Sequence, residues 1–208
     1  MTIRKNEDWG VTVTRPENLV ICETDAAASQ LATNYFLQQK PIPAIAITRS
    51  NLSRALGTTG ADIDSQNMQA TPFDLIEITF ADDSKTGQRV LALGYGVLRK
   101  SWWSGEIVAA MNTSFIGDWD CAPRSHPNDG KFDLLTVKSE MKPTQRLIAS
   151  RRLRLGTHLP HPQISVKQLT SFEADCSAEP NLYVDNRKFV CVNQCKFRLL
   201  PDALTLYW

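Results

Sequence analysis

The sequence predicts an α+β fold, in which a short α/β segment is followed by an antiparallel β-sandwich carrying one covering helix. Three observations predict it. Up to Gly57, strand-like and helix-like runs alternate, which is the α/β pattern. From Pro72 onward, short strand-like runs follow one another at sandwich spacing, and only 144–155 has helical composition. Between the two, 58–71 is polar, carries few large apolar side chains and reads as a linker. Residues 1–66 are therefore expected to form one unit and 72–208 a second.

In order along the chain, 10–14 and 19–22 are short β-like runs separated by the turn Arg15-Pro16-Glu17-Asn18. Thr24 or Asp25 can cap the helix that follows, in which Ala28, Leu31, Ala32, Tyr35 and Phe36 share a face. Lys40-Pro41 ends it, and 42–47 reads as a buried strand. Ser50 or Asn51 can cap a short helix over 52–56 that Gly57 stops. In the second unit, 73–80 alternates, 81–88 is a plausible hairpin end and 89–98 resumes as a strand. Further strands are expected at 106–112, 132–137, 163–169, 182–184, 189–192, 197–200 and 203–208. In the helical run TQRLIASRRLRL, Leu147 and Ile148 are expected on one side and Arg151, Arg152 and Arg154 largely on the other.

Composition bounds the function classes. With 208 residues, 42% hydrophobic, the chain is long enough for a real core. Its 23 basic and 22 acidic residues nearly cancel, so no overall field draws it to nucleic acid or an anionic membrane, and any such binding must be local. The apolar runs fall far short of the roughly 20 residues a membrane span needs, and MTIRKNEDW has no apolar signal region, so a cytoplasmic location is expected. Five scattered cysteines fit that location better than a secreted disulfide framework. The close pair Cys191 and Cys195 reads as small buried side chains rather than a redox or metal site.

The densest polar chemistry lies in 112–133. Two prolines and Asn128-Asp129-Gly130 exclude a helix there and predict a rigid loop between two strands of one sheet. Asp129 and Asp133 could both face a hard cation such as Mg²⁺, with Asn128 and carbonyl oxygens completing the shell; alternatively, Asp129 closes an Asx-turn. Arg124 and His126 could reach a phosphate, or stand as surface groups. His158 and His161 have a spacing that can serve a metal, but no third ligand stands nearby, so packing or hydrogen bonding is the stronger reading. The arginines at 151, 152 and 154 form a solvated face or meet an anionic head group, and Trp102-Trp103 is a core pair or dips into a membrane surface.

Several of these residues carry a resemblance. Asn112, Gly117, Ala122-Pro123, Asn128-Asp129-Gly130 with Asp133, Gly156-Thr157-His158 with Pro162, Tyr183-Val184-Asp185 and Pro201-Asp202-Ala203-Leu204 stand in the order, and roughly at the spacing, of the C-terminal half of bacterial diacylglycerol kinases and related lipid kinases. The resemblance covers about 72–208. It implies an α/β nucleotide domain and a β-sandwich with the active site between them, and transfer of the ATP γ-phosphoryl to a lipid hydroxyl with Mg²⁺. The N-terminal half is similar to the family only in places. Where the family has a GGDGT phosphate loop, this chain has Glu23-Thr24-Asp25-Ala26-Ala27, and glycines that admit phosphate to the backbone are missing. The second nucleotide motif falls on 47–54, where Thr48 and Arg54 match, as do Leu56 and Gly57 after it. Before Trp9 the family has a further strand and helix for which this sequence has no room. The family's Asp-Gly-Glu falls on Asp185-Asn186-Arg187, which puts a guanidinium where a carboxylate belongs.

By this resemblance Asp25 is the catalytic candidate, Thr48, Ser50, Asn51 and Arg54 are the nucleotide-binding ones, and Asp129 and Asp133 the metal ligands. Asn112, Arg124, His126, Asn128, His158, His161 and Asp185 are the candidates to face the cleft toward a phosphate or lipid head group. The implied cofactors are ATP and Mg²⁺, and the implied partner is a lipid or phosphorylated small molecule. Membrane association of the cytoplasmic protein and a homo-oligomer are compatible with it, whereas nucleic acid is not expected. Two functions follow: a diacylglycerol or lipid kinase, or a non-catalytic homologue that binds a lipid, a phosphate ligand or a protein partner.

Overall fold

The structure, a computed structural model, describes residues 10–48, 50–82, 87–190 and 192–208. The N-terminal part contributes β1 (Val11–Thr14), β2 (Val20–Cys22), α1 (Asp25–Leu37), β3 (Ile45–Ile47) and α2 (Asn51–Ala55). Then come β4 (Asn67–Asp82), β5 (Gln88–Ala92), β6 (Tyr95–Arg99), β7 (Ile107–Met111), β8 (Phe115–Ile116), β9 (Trp119–Asp120) and β10 (Phe132–Val137). The chain continues through α3 (Pro143–Leu153), β11 (Ile164–Leu169), β12 (Ser171–Ala174), β13 (Asn181–Val184), β14 (Arg187–Phe189) and β15 (Val192–Tyr207). The class is α+β, as the sequence predicts.

Two sheets face each other. The first runs β1-β4-β15-β3-β2, with β5 on β4 and β12 on β15; the second runs β11-β10-β7-β6-β13-β14. The pleat sends alternate residues to opposite sides. In β4, Ile76, Ile78 and Phe80 enter the core between the sheets with Phe132, Leu134, Leu182 and Phe197, while Phe73 and Leu75 face α1. In β6 and β7, Leu98 and Ala110 point into the sandwich, and Val97 and Ala109 point outward, beneath α3 and the loop that carries Cys121. The layers are thus α1, sheet, sheet, and α3.

Local chemistry explains the helix starts. Thr24 caps α1 by accepting from Ala27 N at 3.1 Å, and Ser50 caps α2 by accepting from Ser53 N at 2.9 Å. The buried face of α1 differs from the expected one: Ala28 and Ala32 are enclosed beside Ser29 and Thr33, while Leu31, Tyr35 and Phe36 are half-buried. The reason is β5, whose outer edge would otherwise be open. Leu91 N–H donates to Thr33 Oγ1 at 2.9 Å and Ser29 Oγ donates to the Leu91 carbonyl at 2.6 Å, so helix hydroxyls replace the missing neighbour strand.

Other expectations are corrected. The polar stretch 58–71 is a linker only in its first part, because β4 begins at Asn67 and pairs with β1. β15 is longer than the runs expected for it: it takes in both 197–200 and 203–208 short of Trp208, passing the break as a register shift between Leu200 and Leu204. Beyond that shift it pairs on one side with β4 and on the other, in parallel, with β3. The covering helix α3 is turned about from its expected face: Leu147 and Ile148 are 45% and 54% exposed, and Arg146 and Ala149 are buried instead. Buried Arg146 donates to the carbonyls of Met141, Trp102, Lys138 and Gly105, which satisfies a cation without a carboxylate. The expected hairpin end at 81–88 includes residues 83–86, and the Cys191–Cys195 pair includes Cys191, all outside the described residues. Cys195 itself is buried and free, as are Cys22, Cys121 and Cys176.

Candidate functional site

The site is built around a two-residue turn. Between β13 and β14, Asp185 and Asn186 have φ of 43° and 70°, the left-handed pair of a type I′ hairpin. That turn carries the fully buried Asp185 carboxylate to the start of β6, where it accepts from Leu93 N at 2.7 Å, Gly94 N at 3.0 Å and Tyr95 N at 2.9 Å. Burial pushes its pKa up to about 7 against these three donors, and nearby Asp25 adds to the rise. Asn186 Oδ1 accepts from the Tyr95 hydroxyl at 2.8 Å.

Asp25 opens α1 from the opposite side. Its Oδ2 accepts from Asn51 N at 3.1 Å, the Ser50 side chain hydrogen-bonds to it, and its Oδ1 is buried without a partner. Burial raises its pKa, and Asp185 feels its charge. Asp25, Ser50, Asn51 and Asp185 are therefore brought together. Thr48 is half-buried beside them, its amide donating to the Cys22 carbonyl at 3.2 Å. Arg54 instead turns to the β8–β9 hairpin: it lies 4.2 Å over the Phe115 ring, 3.5 Å from the Gly117 carbonyl and 3.9 Å from Asp118. Arg187 reaches from β14 to α1 and donates from Nη2 to Ser29 Oγ at 2.7 Å, with its Nε buried and unpartnered.

The loop 122–130 forms a second assembly, centred on a residue that spacing did not single out. Asp74, buried in β4, accepts from Gly130 N at 2.9 Å, Asp202 N at 2.8 Å and Asn128 Nδ2 at 3.5 Å. Asn128 also donates to Asp202 Oδ1 at 2.9 Å, and its own amide donates to His126 Nδ1 at 3.2 Å. Asn112, fully buried, donates to the carbonyls of Asp74 at 2.7 Å and Leu93 at 2.9 Å, and so joins this loop to the 93–95 segment whose amides hold Asp185. A carboxylate inside the apolar alternation of 73–80 was the available signal for Asp74, since a buried charge needs assigned partners.

Asp129 closes an Asx-turn by accepting from Lys131 N at 3.0 Å, and its other oxygen takes Gln168 Nε2 at 3.4 Å. Asp133 is buried with its pKa raised, first by burial and then by Asp129. Among the described residues no group of three His, Cys, Asp or Glu side chains is placed to hold a metal ion. Arg124 is exposed and shares a surface cleft of about 740 Å³ with Asp133, Gly156 and His161, away from Asp25. His161 accepts from Gln163 N at 3.1 Å. Buried His158 lines an apolar crevice of about 60 Å³ beneath α3, with Trp102, Trp119, Met141 and Ile164.

This architecture is shared with solved structures from Bacillus anthracis str. Sterne. One, described as a diacylglycerol kinase, superposes with a TM-score of 0.54 at 15% identity, covering 91% of this chain and 75% of its own. Two more assigned as diacylglycerol kinases superpose with TM-scores of 0.63 and 0.58 at 15% and 16% identity, each covering 91% of this chain and 77% of theirs. The fold is that of diacylglycerol kinases. No protein-family model matches the sequence, and no curated protein is significantly similar to it. At this identity the likeness concerns the diacylglycerol-kinase fold, and what the site can do rests on its own side chains.

Those side chains do not fit a phosphate cradle at α1. Thr24 occupies the Ala27 amide, Asp25 occupies the Asn51 amide, and Ala26 and Ala27 carry Cβ atoms where glycines would leave the backbone open. At the loop, both Asp129 oxygens already accept hydrogen bonds, from Lys131 N and Gln168 Nε2.

Proposed function

We propose that this protein is a lipid-kinase homologue that binds a lipid or phosphorylated small molecule beside Asp185 and Asn186 without transferring a phosphoryl group. The observation that carries this reading is Arg187. Its guanidinium is tied to Ser29 of α1 where the lipid-kinase resemblance calls for a glutamate. A guanidinium has no acceptor and cannot take a proton from a hydroxyl. Phosphoryl transfer also needs its phosphates cradled and its cation held. On this reading residues 1–66 are the remnant of the nucleotide unit and 72–208 the unit that retains the ligand. The cleft and the apolar crevice under α3 suit a ligand with a polar head and a hydrocarbon tail, and the outward Leu147 and Ile148 beside exposed Arg151 and Arg152 suit an anionic membrane surface.

Thermal denaturation tests it. Dihexanoylglycerol or dihexanoyl phosphatidic acid at 100 times its dissociation constant adds about 2.7 kcal/mol to stability, whereas MgATP is expected to add nothing beyond MgCl₂. Transfer of labelled phosphate from MgATP to any lipid of a panel overturns the reading.

One observation favours the catalytic alternative. Asp25 Oδ1 is buried and unpartnered, as a group that orients or deprotonates a lipid hydroxyl would be. In that case Asp25→Asn abolishes transfer while leaving the melting temperature nearly unchanged.

A further inference from the structure

The cleft beside Asn186, of about 530 Å³, lies on the outer face of the second sheet and is lined by Tyr95, Arg99, Trp102, Asp118, Arg154 and Asn186, among others. Its floor is Arg99. The guanidinium is stacked 4.0 Å from the Trp102 ring on one side and 4.0 Å from the Tyr183 ring on the other. Such stacking fixes the plane of the cation and leaves only its edge for a ligand. Among the described residues no carboxylate lies within ion-pair distance of Arg99, its Nε is buried without an acceptor, and its polar neighbours are the hydroxyls of Tyr183 and Tyr95. Exposed Arg154, just past the end of α3, lines the same cleft. Asp118 lines it too, but is 85% exposed and lies 3.9 Å from Arg54. Two cations thus serve one cleft, and its one carboxylate is directed to a third.

The position of this pair decides its use. At one end of the cleft Asn186 stands next to Asp185, in the turn facing Asp25. At the other end Trp102, Ile116 and Trp119 line both this cleft and the apolar crevice beneath α3. A ligand spanning the two passes Arg99, which touches both the Trp102 and Tyr183 rings, in a cleft that Arg154 also lines. We propose that Arg99 and Arg154 form an anion subsite for the phosphodiester of a glycerophospholipid, with the acyl chains toward the crevice and the polar head toward Asn186. Planar guanidinium donors match phosphate oxygens, and the aromatic walls keep the contact partly desolvated, which strengthens it. The inference rests on the lipid-binding reading of the cleft and adds the class of lipid.

The test compares two lipids with the same short chains, dihexanoyl phosphatidylglycerol and dihexanoylglycerol, by titration calorimetry on the full chain. The charged lipid is expected to bind at least about tenfold more tightly, because charge-assisted hydrogen bonds contribute more than neutral ones. Arg154→Gln and Arg99→Met are each expected to remove most of that preference while leaving the neutral lipid within about twofold. Arg154 is exposed, so the result stands on Arg154→Gln even if Arg99→Met fails to fold. Equal affinity for the two lipids, or a preference that survives Arg154→Gln, overturns the subsite but leaves lipid binding intact. Absence of binding by both lipids overturns the lipid-binding reading as well. Inorganic phosphate serves as the third arm. If it binds as tightly as the charged lipid and depends on Arg154, the ligand is a free phosphate compound and the lipid assignment falls.

Discussion

His158 is enclosed by Trp102, Met141 and Ile164, and burial lowers its pKa from the usual 6.5 despite the neighbouring Cys121 backbone. An imidazole with a depressed folded pKa is protonated first in the unfolded chain. Its contribution is therefore fully present above 6.5 and is lost as pH falls through the folded value. His126 is depressed by burial in the same direction. The raised carboxylates Asp25, Asp74, Asp133 and Asp185 oppose it, so the wild-type curve alone is not diagnostic. The difference between wild type and His158→Leu is. On going from about pH 7.5 to about pH 5.5, melting temperature is expected to fall further for wild type than for the variant. Gly96 carries a second residue-scale prediction. A Cβ there would stand 2.5 Å from Ile78 Cδ1 and 2.9 Å from Phe197 Cε1, in the middle of the sandwich core. Overpacking of this kind costs about 1–3 kcal/mol, and urea denaturation of Gly96→Ala measures it.

At the scale of elements, α3 is the part whose orientation the sequence conceals. A binary reading takes Leu147 and Ile148 for the core face, because apolar side chains usually turn inward. The alternative wins because Arg146 finds four carbonyls and Ala149 allows close approach to the sheet. Consequently two large apolar side chains are presented to solvent beside Arg151 and Arg152. If this is the membrane-facing surface, Leu147→Ser with Ile148→Ser reduces co-sedimentation with phosphatidylglycerol-rich vesicles at unchanged melting temperature. Undiminished sedimentation would rule that surface out. No helix of the described residues is long and apolar enough to cross a membrane.

At the scale of the whole molecule, β15 holds the parts together. Its first half pairs with β4 in the first sheet, where Glu77 accepts from Arg198 Nε at 2.8 Å and from Arg89 Nε at 2.7 Å. Its last residues stand between β4 and β3 in the sheet order. Deleting 203–208 removes the only strand linking β2 and β3 to the rest of the described sheet and uncovers Phe73 and Leu75. Hydrogen exchange is expected to show loss of protection across residues 20–47 while β6, β7 and β10 stay protected. Equal loss in both regions would mean that the molecule unfolds as one unit.

Legibility followed the range of the forces. The α+β class, a cap at Thr24 or Asp25 and at Ser50 or Asn51, the non-helical 122–130 loop and many strand runs were determined by the sequence itself, since capping, turn chemistry and alternation act over a few residues. The single strand expected at 89–98 is instead divided between β5 in the first sheet and β6 in the second. The Asx-turn at Asp129 is likewise one of the two arrangements its local sequence allows. Only the tertiary structure decided which polar groups meet. Asp74 holds Gly130 across 56 positions, Arg198 reaches Glu77 across 121 and Arg187 reaches Ser29 across 158. Those partners are chosen by which strands lie side by side, and local spacing carries no record of that choice. For the same reason Arg99 appears in the sequence as one cation among many. It becomes a candidate for binding only when Trp102, Tyr183 and Arg154 are folded around one cleft.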